Sequence, residues 1–132
     1  MLSKAVLSQT EVSRILAAAR NEAQQNGWAV TIAIVDDGGH PLALERLDGA
    51  PANSAYIAPE KARSSALSRK ETKALEDMVN GGRTAFVTAP LMTSLEGGVP
   101  VLVDGQLVGA VGVSGVKADQ DAQVAKAGIA AL

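Results

Sequence analysis

Val99-Pro100-Val101-Leu102-Val103-Asp104-Gly105-Gln106-Leu107-Val108-Gly109-Ala110-Val111-Gly112-Val113-Ser114 decides the fold. Two apolar runs flank Asp104-Gly105, a pair suited to the left-handed backbone of a two-residue turn, so the stretch reads as a β-hairpin. Gly109, Gly112 and Gly115 punctuate its second strand. Glycine inside a strand marks close approach by a helix, a ligand or a neighbouring subunit. The spacing is not that of a phosphate-binding fingerprint, which needs a tight strand-to-helix turn or a GK[ST] sequence.

Upstream, a second hairpin is expected. Trp28 to Val35 is rich in β-branched residues and apolar on both faces, as in a covered central strand. Asp36-Asp37-Gly38-Gly39 has turn chemistry, His40 to Leu47 forms the partner strand, and Asp48-Gly49-Ala50-Pro51 stops it. Ser8-Gln9-Thr10-Glu11 fits a capping box, and Val12, Ile15, Leu16, Ala19 and Ala23 recur at helical spacing until Asn26-Gly27. Ser54 opens a second helix running to about Ser68, in which Pro59 either sits in the first turn or kinks the helix. Lys70 to Val79 reads as a short helix closed by Asn80-Gly81-Gly82. In Thr84 to Ser94, Ala89-Pro90 argues against one continuous central strand. A last helix begins near Asp119 and runs to Leu132, with Asp119 and Asp121 in the first turn suiting the helix dipole. The expected order is α-β-β-α-α-β-β-β-α: an α+β chain with an antiparallel sheet and helices packed on it. There is no repeat, linker or low-complexity segment, so residues 1–132 read as a single domain.

Of 132 residues, 47% are hydrophobic but only 2% are aromatic (Trp28, Tyr56 and Phe86). A core of small aliphatic side chains buries little area per residue, and subunit association is the expected remedy: a homo-oligomer, dimer or higher. The net charge of −2 gives no footprint for nucleic acid. Cysteine is absent, which excludes disulfides and thiolate metal sites. No run approaches the ~20 apolar residues of a membrane helix, and Met1 to Leu7 lacks a signal peptide's apolar stretch, so a cytoplasmic location without membrane contact is expected.

Candidate chemistry centres on His40, the only histidine. It is an acid/base near neutral pH and a metal ligand. One histidine cannot build a zinc site, but it can be an axial ligand to haem iron, whose porphyrin supplies four donors. The plain alternative is a solvated hairpin residue. Arg46, which an ideal strand points away from the face of Glu45, could grip a carboxylate, with Asp48 on the same hairpin, or belong to a surface ion pair. Ser114-Gly115, ahead of the last helix, could present amides to an anion. Glu96 sits on a glycine turn and could face a cavity or solvent. Ser54 with His40 and Asp48 lacks any nucleophile-elbow sequence. Lys61 lies on the second helix, where a lysine is usually solvated.

Several segments together resemble the GlcG/HbpS-like family, small haem-binding-protein-like domains also found fused to PduO-type adenosyltransferases. They are Val35-Asp36-Asp37-Gly38-Gly39-His40, Arg46-Leu47-Asp48-Gly49-Ala50, Ser54, Lys61-Ala62-Arg63, Gly97-Gly98-Val99-Pro100, Asp104-Gly105, Gly109 to Gly115, Asp119-Gln120-Asp121 and Ala127-Gly128. They run in family order from about residue 8 to the end. The resemblance implies a profilin-like fold, a five-stranded antiparallel sheet with helices on its faces, in dimers or larger rings. Pro59 departs from the uninterrupted second helix usual in the family.

The resemblance also implies a small-ligand-binding protein. Some members resemble haem binders or sensors, one branch sits beside cobalamin chemistry, and others accompany catabolism of small acids. Haem or a related tetrapyrrole is the expected ligand and cofactor, held through His40 at the iron. Arg46, Asp48, Ser54, Lys61 and Ser114 are the candidate ligand-binding residues. A second reading is an enzyme or accessory protein for a small organic acid, with His40 as acid or base, Arg46 on a carboxylate and Glu96 as a second proton carrier. A third is a structural assembly module without a ligand.

Overall fold

The computed structural model describes all residues, Met1–Leu132. The elements are α1 (Gln9–Gln25), β1 (Thr31–Asp36), β2 (Pro41–Arg46), α2 (Ser54–Ser68), α3 (Thr72–Asn80), a 3₁₀ turn (Thr84–Thr88), β3 (Gly98–Val103), β4 (Gln106–Ser114) and α4 (Ala118–Ile129). Both expected hairpins form, and β1 pairs with β4 between them, giving one antiparallel sheet of order β2-β1-β4-β3.

The sheet has four strands, not the five expected. Thr84–Thr88 closes as a 3₁₀ turn, Ala89-Pro90 follows, and Leu91 takes a positive φ of 61°. A proline without an N–H and a left-handed residue so close together prevent a ladder there.

Strand alternation sends Val30, Ile32 and Ile34 to one face, where they join Ile15 and Ala19 of α1, Val101, Val111 and Val113 of β3 and β4, and Val124 of α4. Ala33, Val35 and Ala110 point the other way, to Ala58, Ala62 and Ala66 of α2. The sheet is therefore sandwiched between the α1–α4 pair and the single helix α2.

The strand glycines admit α2. A Cβ at Gly112 would lie 2.2 Å from the Ala58 carbonyl oxygen and 2.4 Å from the Ala62 nitrogen. One at Gly98 would lie 2.3 Å from the Lys61 carbonyl oxygen. Gly109 has a different role. Val101 pairs with Gly109 and Leu102 with Leu107, so β4 carries a bulge across Val108. The bulge changes the alternation and brings both Leu107 and Val108 inside on opposite faces.

Helix α1 starts as its sequence demands: the Ser8 amide donates to Glu11 Oε2 at 2.8 Å. Pro59 lies past the first turn of α2, within a continuous helix. It removes the amide that would otherwise reach Ala55. No helix is long and apolar enough to cross a membrane.

Candidate functional site

The β1–β2 turn builds the most chemically specific arrangement in the chain. Asp36 ends β1, and its Oδ1 accepts the Gly38 amide at 2.9 Å and the His40 amide at 3.0 Å. The His40 ring is thereby folded back, with Nδ1 3.1 Å from both carboxylate oxygens. Burial pushes the Asp36 carboxyl up, but the two amides and the imidazole outweigh it and hold the group below its ordinary value. An ionised carboxylate only accepts, so Nδ1–H is the donor to Asp36 and Nε2 is the ring nitrogen without a protein partner. The imidazole side chain is 77% exposed, so Nε2 is accessible. The ring stands at the rim of the sheet and faces no enclosed hollow.

Two cations flank the turn. Lys4 reaches Asp37 at 2.7 Å and the Leu107 carbonyl at 3.1 Å. Arg63 of α2 lies across Gly39, where a Cβ would sit 2.7 Å from its Cγ. Sequence reasoning did not single out Asp36 or Arg63 as functional; the signal for Asp36 was an acid four residues before a histidine across paired glycines.

The other candidate residues lie elsewhere. Arg46 is at the far end of β2 from His40, with Nε and Nη2 donating to the Ala50 carbonyl at 3.1 and 2.8 Å. With Asp48, Trp28 and Arg20 it lines an open groove of about 590 Å³. Glu45 is held by Arg20 of α1 through Nε and Nη2, the latter at 2.8 Å. Glu96 precedes β3, at the edge opposite β2, and its amide faces Glu76 at 3.3 Å. His40, Arg46 and Glu96 thus occupy three separate places within one chain, and no acid–base site forms from them there.

Ser54 is buried, 2.8 Å from Thr31 Oγ1, and donates to the Pro51 carbonyl at 2.6 Å. Ser114 is buried at the end of β4. The Val116 amide beyond it already has an internal acceptor, Asp121 Oδ1 at 3.1 Å.

Lys61 is not solvated. Its side chain is 5% exposed, with Nζ 3.0 Å from the Val113 carbonyl and 3.1 Å from Asp121 Oδ2. The buried Asp121 reads from sequence only as a dipole-compensating residue, and its carboxyl is pushed up by burial, opposed by the Lys61 charge. Ser54, Lys61 and Ser114 are therefore engaged in packing the fold. No group of three or more His, Cys, Asp or Glu side chains could hold a bare metal ion.

Comparison with known proteins agrees with this architecture. The family model for haem degrading protein HbpS-like matches residues 7–130. Protein GlcG of Escherichia coli (strain K12) is 64% identical over 114 residues, covering 86% of this chain and 85% of that protein. Corrinoid adenosyltransferase PduO of Salmonella typhimurium is 30% identical over 130 residues, 96% of this chain but 39% of that protein.

Among solved structures, the PduOC:heme complex superposes with a TM-score of 0.89 at 30% identity, covering 97% of this chain and 96% of that one. A double mutant of Streptomyces reticuli HbpS gives 0.90 at 31%, covering 100% and 90%. With the sheet order, the helix placement and the relatives in agreement over nearly its whole length, the chain belongs to the haem degrading protein HbpS-like family.

Proposed function

We propose that residues 1–132 act as one haem-binding domain, with Nε2 of His40 as the protein ligand to iron. One observation carries this reading: Asp36 holds Nδ1 of an exposed imidazole and leaves Nε2 without a protein partner. A carboxylate behind a ligating histidine sets the tautomer and strengthens the ring as a donor. A single imidazole is sufficient because the macrocycle supplies the remaining equatorial donors. The family assignment and the fold shared with the PduOC:heme complex support the same ligand.

The surroundings fit a shallow seat. Leu42 and Leu44, 41% and 50% exposed, follow His40 along β2 and offer an apolar strip. Exposed leucines beside a ligating nitrogen suit one face of a porphyrin, and a second copy of the chain covers the other. Bound haem supplies redox and dioxygen chemistry at its iron; the chain orients the ligand and excludes water from one side.

Titration of the protein with ferric haem should give a shifted Soret band saturating at micromolar concentration. His40→Ala should lose that band position and weaken binding at least tenfold, while circular dichroism stays unchanged. A wild-type chain that gives no spectral change, or a His40→Ala variant that matches it, sinks the proposal. Asp36→Asn should keep the band but lower the affinity, because the amide fixes Nδ1–H less strongly.

A further inference from the structure

We infer that Arg63 pairs with a carboxylate of the bound ligand, a propionate of haem held at His40; the inference rests on the reading above. His40 and Arg63 rest against consecutive glycines of one turn. A Cβ at Gly38 would meet His40 Cε1 at 2.7 Å, and one at Gly39 would meet Arg63 Cγ at 2.7 Å. The two Cα atoms that carry these contacts are about 3.8 Å apart. Helix α2 thus lays the Arg63 stem against the turn that carries the imidazole, and the missing side chain at Gly39 makes the room.

The hydrogen bonding of Arg63 is incomplete. Nη2 donates to Glu60, one turn earlier on α2. Nε is buried and has no acceptor. A guanidinium is a rigid fork whose terminal N–H groups suit carboxylate oxygens. The acids of the turn are already engaged: Asp36 faces the imidazole and Asp37 faces Lys4. Glu60 orients one arm of the fork and Nε is closed to solvent, so Nη1 is the arm left for an incoming carboxylate. A porphyrin ligated at His40 carries two propionates on its edge, and Arg63 is the cation of α2 placed to meet one of them.

The test compares haemin with haemin dimethyl ester, in which both carboxylates are capped, by Soret titration under one set of conditions. Arg63→Gln should weaken haemin binding about tenfold and leave ester binding as in the wild type. Arg63→Met, which keeps the apolar stem against Gly39, should behave the same and provides a second neutral variant should Arg63→Gln fold poorly. Equal losses for haemin and ester would reduce Arg63 to a packing role and overturn the inference, as would unchanged haemin binding in both variants. His40→Ala separates the two readings. If it abolishes the band while the Arg63 variants do not discriminate, only the present inference fails. If it leaves the wild-type band, the ligation reading fails, and if the wild type binds no haem, both fall.

Discussion

Lys61 and Asp121 meet from α2 and α4, sixty residues apart, in a place where neither is solvated. Desolvating both charges offsets most of their attraction, so the pair adds little net stability, but removing one partner strands the other. Lys61→Met should cost about 3–5 kcal/mol in urea denaturation, and adding Asp121→Asn should recover most of that loss. Equal effects of the single and double variants would mean that the two are not coupled.

Glu45 makes the opposite pH contribution to Asp121. Its carboxyl is held down by the Arg20 hydrogen bond against the opposing effect of burial. This stabilisation is complete above the unfolded value, about 4.3, and is lost as the pH falls through the depressed folded value. Asp121 has a raised folded value, so its contribution is greatest below the unfolded carboxylate value and declines as the pH rises through the folded one. A Glu45→Gln variant should therefore show a flatter fall in Tm between about pH 5 and pH 3 than the wild type; an identical slope would remove the pair from the acid response. Among these residues His40 stood out in the sequence as the sole histidine, Lys61 as a candidate ligand-binding residue and Asp121 as an acid in the first turn of the last helix. That Lys61 and Asp121 pair was not legible locally, because it is set by how α2 crosses the sheet.

At the level of elements, local chemistry was most legible where it is local. The Ser8 to Glu11 capping box, the Asp104-Gly105 turn and the Asn26-Gly27 stop all act over four residues or fewer, and each appears where it was expected. The five-strand expectation failed at Thr84–Ser94. That segment has neither helical nor strand periodicity, and its position is tied down by a distant contact, the Thr93 amide on Ser64 Oγ at 2.7 Å. Strand glycines announced a close approach without saying by what; the answer at Gly112 is the α2 backbone. Gly112→Ala should cost about 3 kcal/mol, since neither backbone can retreat without breaking the helix or the ladder. Gly27→Ala meets nothing within 4 Å but holds φ at +70°, and its cost should be about 1 kcal/mol. Paired thermal melts check the difference, and a Gly112→Ala protein as stable as Gly27→Ala would mean that α2 can lift away from the sheet.

The whole molecule is short of large buried side chains. Its fully buried residues are led by Ile15, Ile32 and Ile34, followed by valines, and no aromatic ring is among them. Tyr56 is 79% exposed, and Leu42 and Leu44 lie open on β2. The thin core was legible from composition alone; where the apolar surplus emerges was not, because it depends on β2 being an edge strand.

Of the two edges, β3 is blunted by Pro100, which has no N–H to offer a partner. On β2 the only proline is Pro41, at its first residue. A second copy meeting the first along β2 would bury both leucines and bring two His40 turns to one interface, which is also where a haem seat needs its second wall. Light scattering coupled to gel filtration should therefore give a multiple of the single-chain mass, and Leu44→Lys should shift it towards the monomer, because a charge at the buried centre of an interface must be desolvated without a partner. The same variant should weaken haem binding even though Leu44 donates no ligand. A wild-type chain that runs as a monomer at tens of micromolar would defeat the assembly and confine haem to one open face.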